Sequence, residues 1–306
     1  MSLLAPLFSK LLDRYQGGEP SGVVATDVPG VRFYWATKTL PRTPLLYSAG
    51  IVIVGQGFKI GYLGSRKFRY DRETYLVLGV PVPFECETHA SPDEPLLGIS
   101  VDIELTMLHE LVAKFSSSLH LKSGDAAADP HAGLEPVRMD EGMVEATLRL
   151  LTCLCDPLDS KVLGAGATNE IVYRVLRGEK GRVLYNLTQH QTPYAAVARA
   201  LERMHRDYRT SLSVDELARQ NAMSVSSFHR AFKRVTGQSP LQYLKKVRLD
   251  KARGLLIHDK MRVNNVAFEV GYESPSQFSR EFKRHFKVSP SEADTLAYSY
   301  VGQSAL

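Results

Sequence analysis

Two segments near the end of the chain carry short hydroxyl groups and cations at the same spacing. They are Ser226, Arg230 and Lys233 in the first segment and Ser276, Arg280 and Lys283 in the second, fifty positions later. On a helix, positions i, i+4 and i+7 lie on one face. Hydroxyl groups donate and accept hydrogen bonds, while guanidinium and ammonium groups donate and carry positive charge. Such a face suits an acidic partner with a patterned surface.

The two segments are copies of one unit. Residues 224–240 have the sequence SVSSFHRAFKRVTGQSP and residues 274–290 have SPSQFSREFKRHFKVSP, with nine identities in seventeen aligned positions. Phe228 and Phe232, like Phe278 and Phe282, are spaced i and i+4, which predicts a buried stripe opposite the polar face. The duplication therefore predicts two helices with the same buried and exposed faces.

A shorter amphipathic helix precedes each of these helices. Its apolar positions are Val214, Leu217 and Ala218 in the first copy and Val263, Val266 and Ala267 in the second. Two short helices joined by a tight turn form a helix-turn-helix unit, expected at about 213–236 and 262–287. Ser224 and Ser274 are suitable N-caps, and Gln277 is placed to close a capping box.

Both units together resemble a known domain. The connecting segment SPLQYLKKVRLDKARGLL (239–256) and the later segment VAFEVGYESPSQFSREFKRHF (266–286) resemble the DNA-binding domain of the AraC/XylS family of bacterial transcription regulators. The resemblance covers residues 197 to about 298. One departure is Lys287, where the first copy has Gly237 and the family usually has glycine, since a left-handed helix C-terminus favours glycine.

The resemblance implies a role for each exposed residue of the second helices. The implied base-contacting residues are Ser226, His229, Arg230, Ser276, Gln277 and Arg280. The implied phosphate-contacting residues are Ser224, Lys233, Arg234, Ser274, Lys283 and Arg284. Arginine can bind guanine through two hydrogen bonds, and glutamine can do the same for adenine. A phosphate clamp or an internal ion pair, with Glu281 for Arg280 and with Asp215 or Glu216 for Arg230, is the alternative.

The N-terminal half contains short β-branched and aromatic runs. These runs are residues 31–35, 51–54, 58–63, 75–80 and 97–101, and they predict a barrel or sandwich. Segments 27–44, 51–64 and 70–103 resemble the N-terminal domain of one branch of the same family. The resemblance implies a cupin-like β-barrel that senses small molecules or drives dimerisation. Residues expected to line its interior are Phe33, Trp35, Ile51, Ile53, Tyr62, Tyr75 and Val77.

The predicted fold is α+β with two domains: an N-terminal cupin-like β-barrel with trailing helices, and a C-terminal all-α domain with two helix-turn-helix units joined by a linking helix. We expect the regulatory barrel at 1–135. A mobile loop is expected at 116–136, between the two halves of the chain. A helical connector at 136–190 and the DNA-binding domain at 191–306 follow. Amphipathic stretches at 139–154 and 197–208 predict either a dimer seam or packing against the barrel.

The charge distribution agrees with this division. The chain of 306 residues has a net charge of +5, but residues 199–290 contain 19 Lys and Arg against 9 Asp and Glu, a net charge of +10. The remainder therefore has a net charge of −5. Positive charge concentrated on the duplicated region is expected of a surface that faces phosphates.

Catalytic chemistry has little support in the sequence. His89, His109, His120 and His131 are scattered, so no metal or other cofactor is expected. The three cysteines, Cys86, Cys153 and Cys155, form no disulfide framework and cannot provide the four-cysteine zinc site of DNA-repair methyl acceptors. A cupin-type enzyme fused to a DNA-binding domain is therefore only a distant alternative.

The sequence predicts a sequence-specific DNA-binding transcription regulator that is not an enzyme. Its expected partners are promoter DNA, RNA polymerase as the family implies, a small-molecule effector, and a second copy in a homodimer. No run of eighteen apolar residues and no signal peptide occur, so we expect a cytoplasmic protein at the bacterial nucleoid, without a membrane partner. Activation is what the family implies, and repression stays open. A ligand-independent architectural DNA-binding protein is the main alternative.

Overall fold

The computed structural model describes residues 4–64, 66–115, 136–189 and 192–299, and its N-terminal part contains two β-sheets. Ten strands form them: β1 Ser21–Ala25, β2 Val31–Ala36, β3 Leu40–Tyr47, β4 Gly50–Gln56, β5 Phe58–Leu63, β6 Arg66–Asp71, β7 Thr74–Leu78, β8 Val82–His89, β9 Leu96–Asp102 and β10 Pro136–Arg138. One sheet has the order β1-β2-β9-β4-β7-β10 and the other β3-β8-β5-β6. The predicted β-rich N-terminal domain and helical C-terminal domain are confirmed.

Five of these strands match the apolar runs in the sequence, and others were missed for physical reasons. Strand β3 contains Pro41 and Pro44, which usually argue against a strand. It lies at the edge of the four-stranded sheet, where a missing N–H donor is tolerated. Strand β6 has the mainly polar sequence RKFRYD and lies at the opposite edge of the same sheet. These two edge strands were therefore not predicted, because prolines or polar residues interrupt their apolar pattern.

The predicted barrel lining is wrong for the six-stranded sheet. Phe33 pairs with Ile99, and Ile53 pairs with both Ile99 and Tyr75, so these side chains share one face. That face packs under the first helix, where the rings of Tyr15 and Phe33 lie 6.0 Å apart. Trp35, Ile51 and Val77 belong to the same face by alternation. Both faces of this sheet are buried, so apolar alternation could not identify the inner one.

The face between the two sheets carries a polar cluster instead. The Tyr34 ring lies 5.5 Å from the Nζ atom of Lys59, a fully buried lysine on β5. Lys59 donates to the Tyr47 hydroxyl at 2.9 Å, and that hydroxyl lies 3.0 Å from the Tyr70 hydroxyl. Tyr62, the seventh predicted lining residue, faces outward and donates to Glu87 at 2.8 Å. The barrel interior is therefore more polar than expected.

Six helices flank the sheets or lead from them towards the C-terminal domain. They are α1 Ala5–Tyr15, α2 Leu105–Phe115, α3 Glu141–Leu154, α4 Pro157–Arg177, α5 Gly181–Thr188 and α6 Pro193–Arg206. The predicted loop at 116–136 lies, up to residue 135, outside the described residues. None of the helices in the described part of the chain is both long and apolar enough to cross a membrane.

The two amphipathic stretches are packed within the chain. Leu150 and Leu154 of α3 are fully buried, and Val197, Leu201 and Met204 of α6 are no more than 1% exposed. Within one chain, α3 packs mainly against α4 and α1, and α6 packs against α5 and helices of the C-terminal part, whereas the sequence predicted packing against the barrel as the alternative to a dimer seam. These stripes therefore cannot form a seam between two copies.

The C-terminal part is helical and contains both predicted helix-turn-helix units. Its elements are α7 Val214–Gln220, α8 Val225–Thr236, α9 Pro240–Ile257, α10 Val263–Glu269, α11 Pro275–Phe286 and a 3₁₀ helix, Pro290–Ser299. Ser239 and Gln242 form a complete capping box at the start of α9. In the turn before α11, Gly271 has φ +86°, and a Cβ there would lie 2.6 Å from the Arg209 carbonyl oxygen. Glycine is therefore required in this turn.

The hydrophobic core runs continuously from the sheets into the first helix-turn-helix unit. It includes Phe228 and Tyr243, whereas the second unit has a separate core around Phe278 and Phe282. The Tyr243 hydroxyl donates to the Pro81 carbonyl oxygen at 3.1 Å and lies 2.7 Å from His205 Nε2. Burial and the nearby Lys251 lower the pKa of His205 to about 4, so this histidine is neutral at pH 7.

The C-termini of α8 and α11 provide a matched test of backbone strain. Gly237 and Lys287 occupy the same left-handed position, with φ +77° and +68°. A side chain is strained in this conformation. We expect Lys287→Gly to stabilise the protein by about 0.5–1 kcal/mol and Gly237→Lys to destabilise it by a similar amount. Thermal and urea unfolding of the full chain measure both, and equal midpoints for Lys287→Gly and wild type would contradict the strain.

Candidate nucleic-acid interface

The second helix of each unit, α8 or α11, is anchored by the same pair of rings. Phe228 and Phe232 in α8, and Phe278 and Phe282 in α11, are fully buried. The two ring centroids lie 5.6 Å apart in each helix. Because the buried stripes are equivalent, the exposed faces of α8 and α11 are equivalent as well.

Serine caps begin both helices as predicted. Ser224 Oγ accepts from the Ser227 backbone N–H at 3.3 Å, and Ser274 Oγ accepts from that of Gln277 at 3.4 Å. The capping box expected from Gln277 is not formed, since its side-chain amide lies 3.5 Å from Glu281 Oε1 instead. Each cap satisfies one N–H group of the first turn, and the positive end of the helix dipole remains at the surface.

The predicted base-contacting side chains lie on the exposed faces. Those that are exposed are Ser226, Arg230, Ser276, Gln277 and Arg280, and His229 is half-buried. Arg230 Nη2 donates to Ser227 Oγ at 3.3 Å, one turn back along the helix. The structure thus brings the predicted residues of each unit to one accessible face. Their contact with bases stays a prediction.

Glu281, the acidic neighbour of Arg280, is committed to other partners. It accepts from Lys245 Nζ at 2.8 Å and from the Tyr272 hydroxyl at 3.0 Å. Burial opposes ionisation of Glu281, but these hydrogen bonds outweigh it and lower its pKa. Arg280 has no carboxylate within ion-pair distance in the ranges that the structure describes. Its guanidinium is available to an external partner.

The first unit shows the same arrangement. Glu216, the acid expected to compete for Arg230, accepts from Arg203 Nη2 at 3.0 Å. Among the described residues, Arg230 has no acidic side chain within ion-pair distance. The internal ion pairs considered for both recognition arginines are therefore not formed.

The predicted phosphate-contacting cations divide into two groups. Lys233, Arg234 and Lys283 are exposed beyond the base-contacting positions. Arg284 is also exposed, but it lines a cleft between α11 and the barrel. Arg284 is therefore accessible at the surface and also lies next to the barrel.

Arg248 on α9 is a structural residue that the sequence did not reveal. Its Nε donates to the Tyr208 carbonyl oxygen at 2.8 Å, Nη1 to that of Gly271 at 2.9 Å and Nη2 to that of Thr210 at 2.9 Å. Tyr208 and Thr210 lie just before the first unit, while Gly271 lies in the turn of the second. One guanidinium thus joins the linking helix to both units. Its position between the apolar residues Val247 and Leu249 was the sequence feature that could have indicated a structural role.

Arg253, one and a half turns further along α9, connects the same helix to the barrel. It is fully buried, donates through Nη1 to the Pro44 carbonyl oxygen at 3.2 Å and pairs through Nη2 with Asp250 at 3.0 Å. Its guanidinium carbon lies 5.0 Å from the centroid of the Phe286 ring. A buried arginine requires such partners, because desolvation of an isolated charge is costly. Arg253 therefore contacts the barrel and the end of α11 together.

Candidate metal-binding groups do not assemble in the residues that the structure describes, where no three His, Cys, Asp or Glu side chains meet at ligand spacing. Cys86 and Cys153 are buried free thiols, and burial raises the pKa of each. Cys86 Sγ lies 3.2 Å from the Tyr70 hydroxyl in the polar cluster of the barrel.

Two family models match this chain. Residues 27–183 match the model described as AraC-type transcriptional regulator N-terminus, and residues 217–295 match the model of a helix-turn-helix domain. The first match covers more than half of the chain. Together they cover strands β2 to β10, helices α2 to α4 and most of both predicted DNA-binding units.

Curated relatives are similar over part of this chain. The lactose operon transcription activator of Staphylococcus xylosus is 31% identical over 96 residues, which is 31% of this chain and 34% of the relative. The transcriptional activator RhaS of Klebsiella pneumoniae strain 342 is 42% identical over 76 residues, 25% of this chain and 27% of the relative. The matched part thus spans about a third or less of these proteins.

Solved structures extend the similarity to the whole fold. Wild-type ToxT from Vibrio cholerae strain SCE256, crystallised with an unsaturated fatty acid, aligns over 86% of this chain and 93% of its own, with TM-score 0.55 and 14% identity. The apo K231A variant of ToxT aligns over 86% and 97%, with TM-score 0.58 and 10% identity. At this identity the comparison shows a shared two-domain fold.

We expect the loss of a base contact and the loss of a phosphate contact on α8 or α11 to change DNA affinity in different ways. Arg280→Ala should cost about 1–3 kcal/mol of binding to cognate DNA and relax the preference at one base pair. Lys283→Ala should weaken binding to all sequences alike and reduce the salt slope by about one. Fluorescence anisotropy titrations at several salt concentrations measure both.

Lys161→Ala serves as the matched control, because it removes an exposed cation from α4, outside the two units. We expect it to leave DNA affinity unchanged. If Arg280→Ala lost the same affinity for cognate and random duplexes, Arg280 would be a phosphate contact and its assignment to base recognition would be wrong.

Proposed function

This chain belongs to the AraC family of transcriptional regulators, and we infer that it binds promoter DNA with both helix-turn-helix units and thereby regulates transcription. One observation carries the proposal. The exposed faces with Arg230 and Arg280 are equivalent and are held on one linking helix, and neither arginine has an acidic partner among the described residues. Such faces suit the edges of base pairs in the major groove.

The linking helix supports simultaneous contact by both units. α9 has 18 residues, which corresponds to about 27 Å of helix. Successive major-groove segments on one side of B-DNA are about 34 Å apart. With Arg248 bonded to the backbone on both sides, the two units move as one body. The proposal is therefore that one chain reads two adjacent segments of the same duplex face.

We propose that the chain activates transcription by contacting RNA polymerase at its promoters. The relatives from Staphylococcus xylosus and Klebsiella pneumoniae are both named activators. Because promoter DNA is the proposed target, the proposal also includes a location in the cytoplasm, at the nucleoid. The proposal includes no catalytic step, because the family consists of transcription regulators.

Regulation by a small molecule is the second part of the proposal. ToxT, which shares the two-domain fold, was crystallised with an unsaturated fatty acid. In this chain the core is continuous from the barrel to the first helix-turn-helix unit, and Arg253 joins the barrel to α9. A ligand that binds differently to two domain arrangements would therefore change DNA binding.

Binding selection from genomic fragments followed by hydroxyl-radical footprinting tests the promoter-binding function with the full chain. We expect one monomer to protect two patches about 34 Å apart on one DNA face, within roughly twenty base pairs. Arg230→Ala should weaken protection in one patch and Arg280→Ala in the other. Protection of a single half-turn by the wild type, unchanged by either variant, would contradict the proposed geometry.

Helix α4 offers a surface for the proposed homodimer. Leu158 and Val162, one helical turn apart, are each 68% exposed. The adjacent Leu163 is 53% exposed. Gly166 lies one turn further and would meet nothing within 4 Å if it carried a Cβ. Exposed apolar residues at helical spacing favour helix pairing, and a symmetric dimer would place the same stripe of the second copy against them.

Charge reversal on α4 tests the dimer. Val162→Glu should convert a dimer into a monomer, because it places a carboxylate in the apolar contact. Lys161→Glu, at the neighbouring exposed position, should leave the dimer intact. Light scattering and sedimentation at about 10–50 μM, above a micromolar dissociation constant, measure the mass. A monomeric wild type would remove the homodimer from the proposal.

A further inference from the structure

A cleft of about 400 Å³ separates the barrel from the second helix-turn-helix unit. Its barrel wall includes Arg42 of β3, Tyr62 of β5 and Glu85 of β8. The opposite wall is formed by α9 and α11 and the residue after α11. Because the walls belong to different domains, anything bound in the cleft contacts the regulatory and DNA-binding parts together.

The barrel wall is close to electrically neutral. Arg42 forms an ion pair with Glu85, with 2.5 Å between Nε and Oε2. The Arg42 guanidinium also lies 4.0 Å from the centroid of the Tyr62 ring. An arginine held by a carboxylate and an aromatic face is oriented in advance, and its remaining N–H groups can still donate.

The opposite wall is positive. Lys246, Arg284 and Lys287 line it, and in the portion of the chain that the structure describes none has a carboxylate within ion-pair distance. Asp250, the acid on this wall, is bonded to Arg253 at 3.0 Å. Glu85 attracts Lys246 across the cleft, but this carboxylate is paired with Arg42, so the partly enclosed space keeps an excess of positive charge.

The pKa of His285 is affected by the same positive charges. Burial lowers its pKa to about 3, together with Lys246, Arg253, Lys287 and Arg284. The imidazole is therefore neutral at pH 7 and adds no charge to the wall. An anion would relieve the repulsion between the three cations.

We propose that the cleft binds a small organic dianion, a phosphate monoester or dicarboxylate, whose charged end meets Lys246, Arg284 and Lys287. The floor fits the organic part of such a ligand, because Leu45, Leu46 and Phe84 line it. The volume of the cleft also falls in the range of about 300–1,000 Å³ that is usual for small-molecule sites.

The dianion acts on DNA binding through Arg284, which the family resemblance predicts to contact DNA phosphate. A guanidinium bonded to the ligand is withdrawn from the DNA backbone, so the bound dianion weakens DNA binding. Linkage requires the converse effect of DNA on the ligand. This consequence rests on the DNA-binding function proposed above and gives the effector of that function a chemical class.

Calorimetry of the full chain without DNA, at about pH 8, tests the site with defined probes. Phenyl phosphate, a dianion above its second pKa of about 6, should bind at least about tenfold more tightly than the monoanion phenylacetate. Benzyl alcohol should not bind. Lys246→Gln should weaken phenyl phosphate binding about tenfold, and Lys246→Arg should retain it. Lys161→Gln, outside the cleft, should match the wild type in binding and in melting temperature.

A second arm measures operator affinity at constant ionic strength. Saturating phenyl phosphate should lower the affinity of the wild type about tenfold and that of Lys246→Gln by less than about twofold. Absence of phenyl phosphate binding to the wild type, or equal binding to Lys246→Gln, overturns the proposal. So does a loss of DNA affinity in Lys246→Gln without any anion binding by the wild type, because Lys246 would then contact DNA phosphate. Failure of the ligand-free wild type to bind duplex DNA would instead refute the promoter-binding function, while calorimetry still reports on the cleft.

Discussion

The relative orientation of the two helix-turn-helix units depends on the guanidinium of Arg248. It donates three hydrogen bonds of 2.8–2.9 Å to carbonyl oxygens, two before the first unit and one in the turn of the second. Burial lowers the pKa of Arg248, but arginine keeps its charge, so these bonds are charge-assisted. Without them α9 would be joined to the units by apolar packing and by the single ion pair of Lys245 with Glu281. Directional bonds instead fix the angle between α8 and α11.

The same helix transmits this rigidity to the regulatory domain. α9 buries residues on several sides, including Tyr243, Val247, Ala252 and Arg253, so it is enclosed by both units and by the barrel. Tyr243 and Arg253 each donate to a carbonyl oxygen of the barrel region. Because packed interiors resist continuous deformation, a change at the barrel moves α9 as a whole or not at all. This geometry couples the helix-turn-helix domain mechanically to the barrel.

Much of the candidate site could be predicted from the sequence, because the helix-turn-helix unit occurs twice. The spacing of Phe228 and Phe232, repeated at Phe278 and Phe282, defined which helix face is buried, and local hydrogen bonding of Ser224 and Ser274 defined where the helices begin. Both properties depend on residues within one or two turns. The partner of Glu281 was not predictable, because Lys245 lies 36 positions away and only the packing of α9 against α11 brings it close.

Sequence by itself therefore determined the helix-turn-helix units, their exposed faces and the β-rich N-terminal half, because periodicity and capping act over short distances. Tertiary structure alone decided which face of the six-stranded sheet is the interior, since helices bury the outer face and make both sets of alternating residues apolar. It also decided that Arg248 and Arg253 form internal hydrogen bonds, whereas Arg230 and Arg280 have no acidic partner in the part of the chain that the structure describes. All four are arginines in a basic region, and their neighbours along the chain do not distinguish them. Only long-range packing supplies the carbonyl oxygens that bind the first two and leaves the others at the surface.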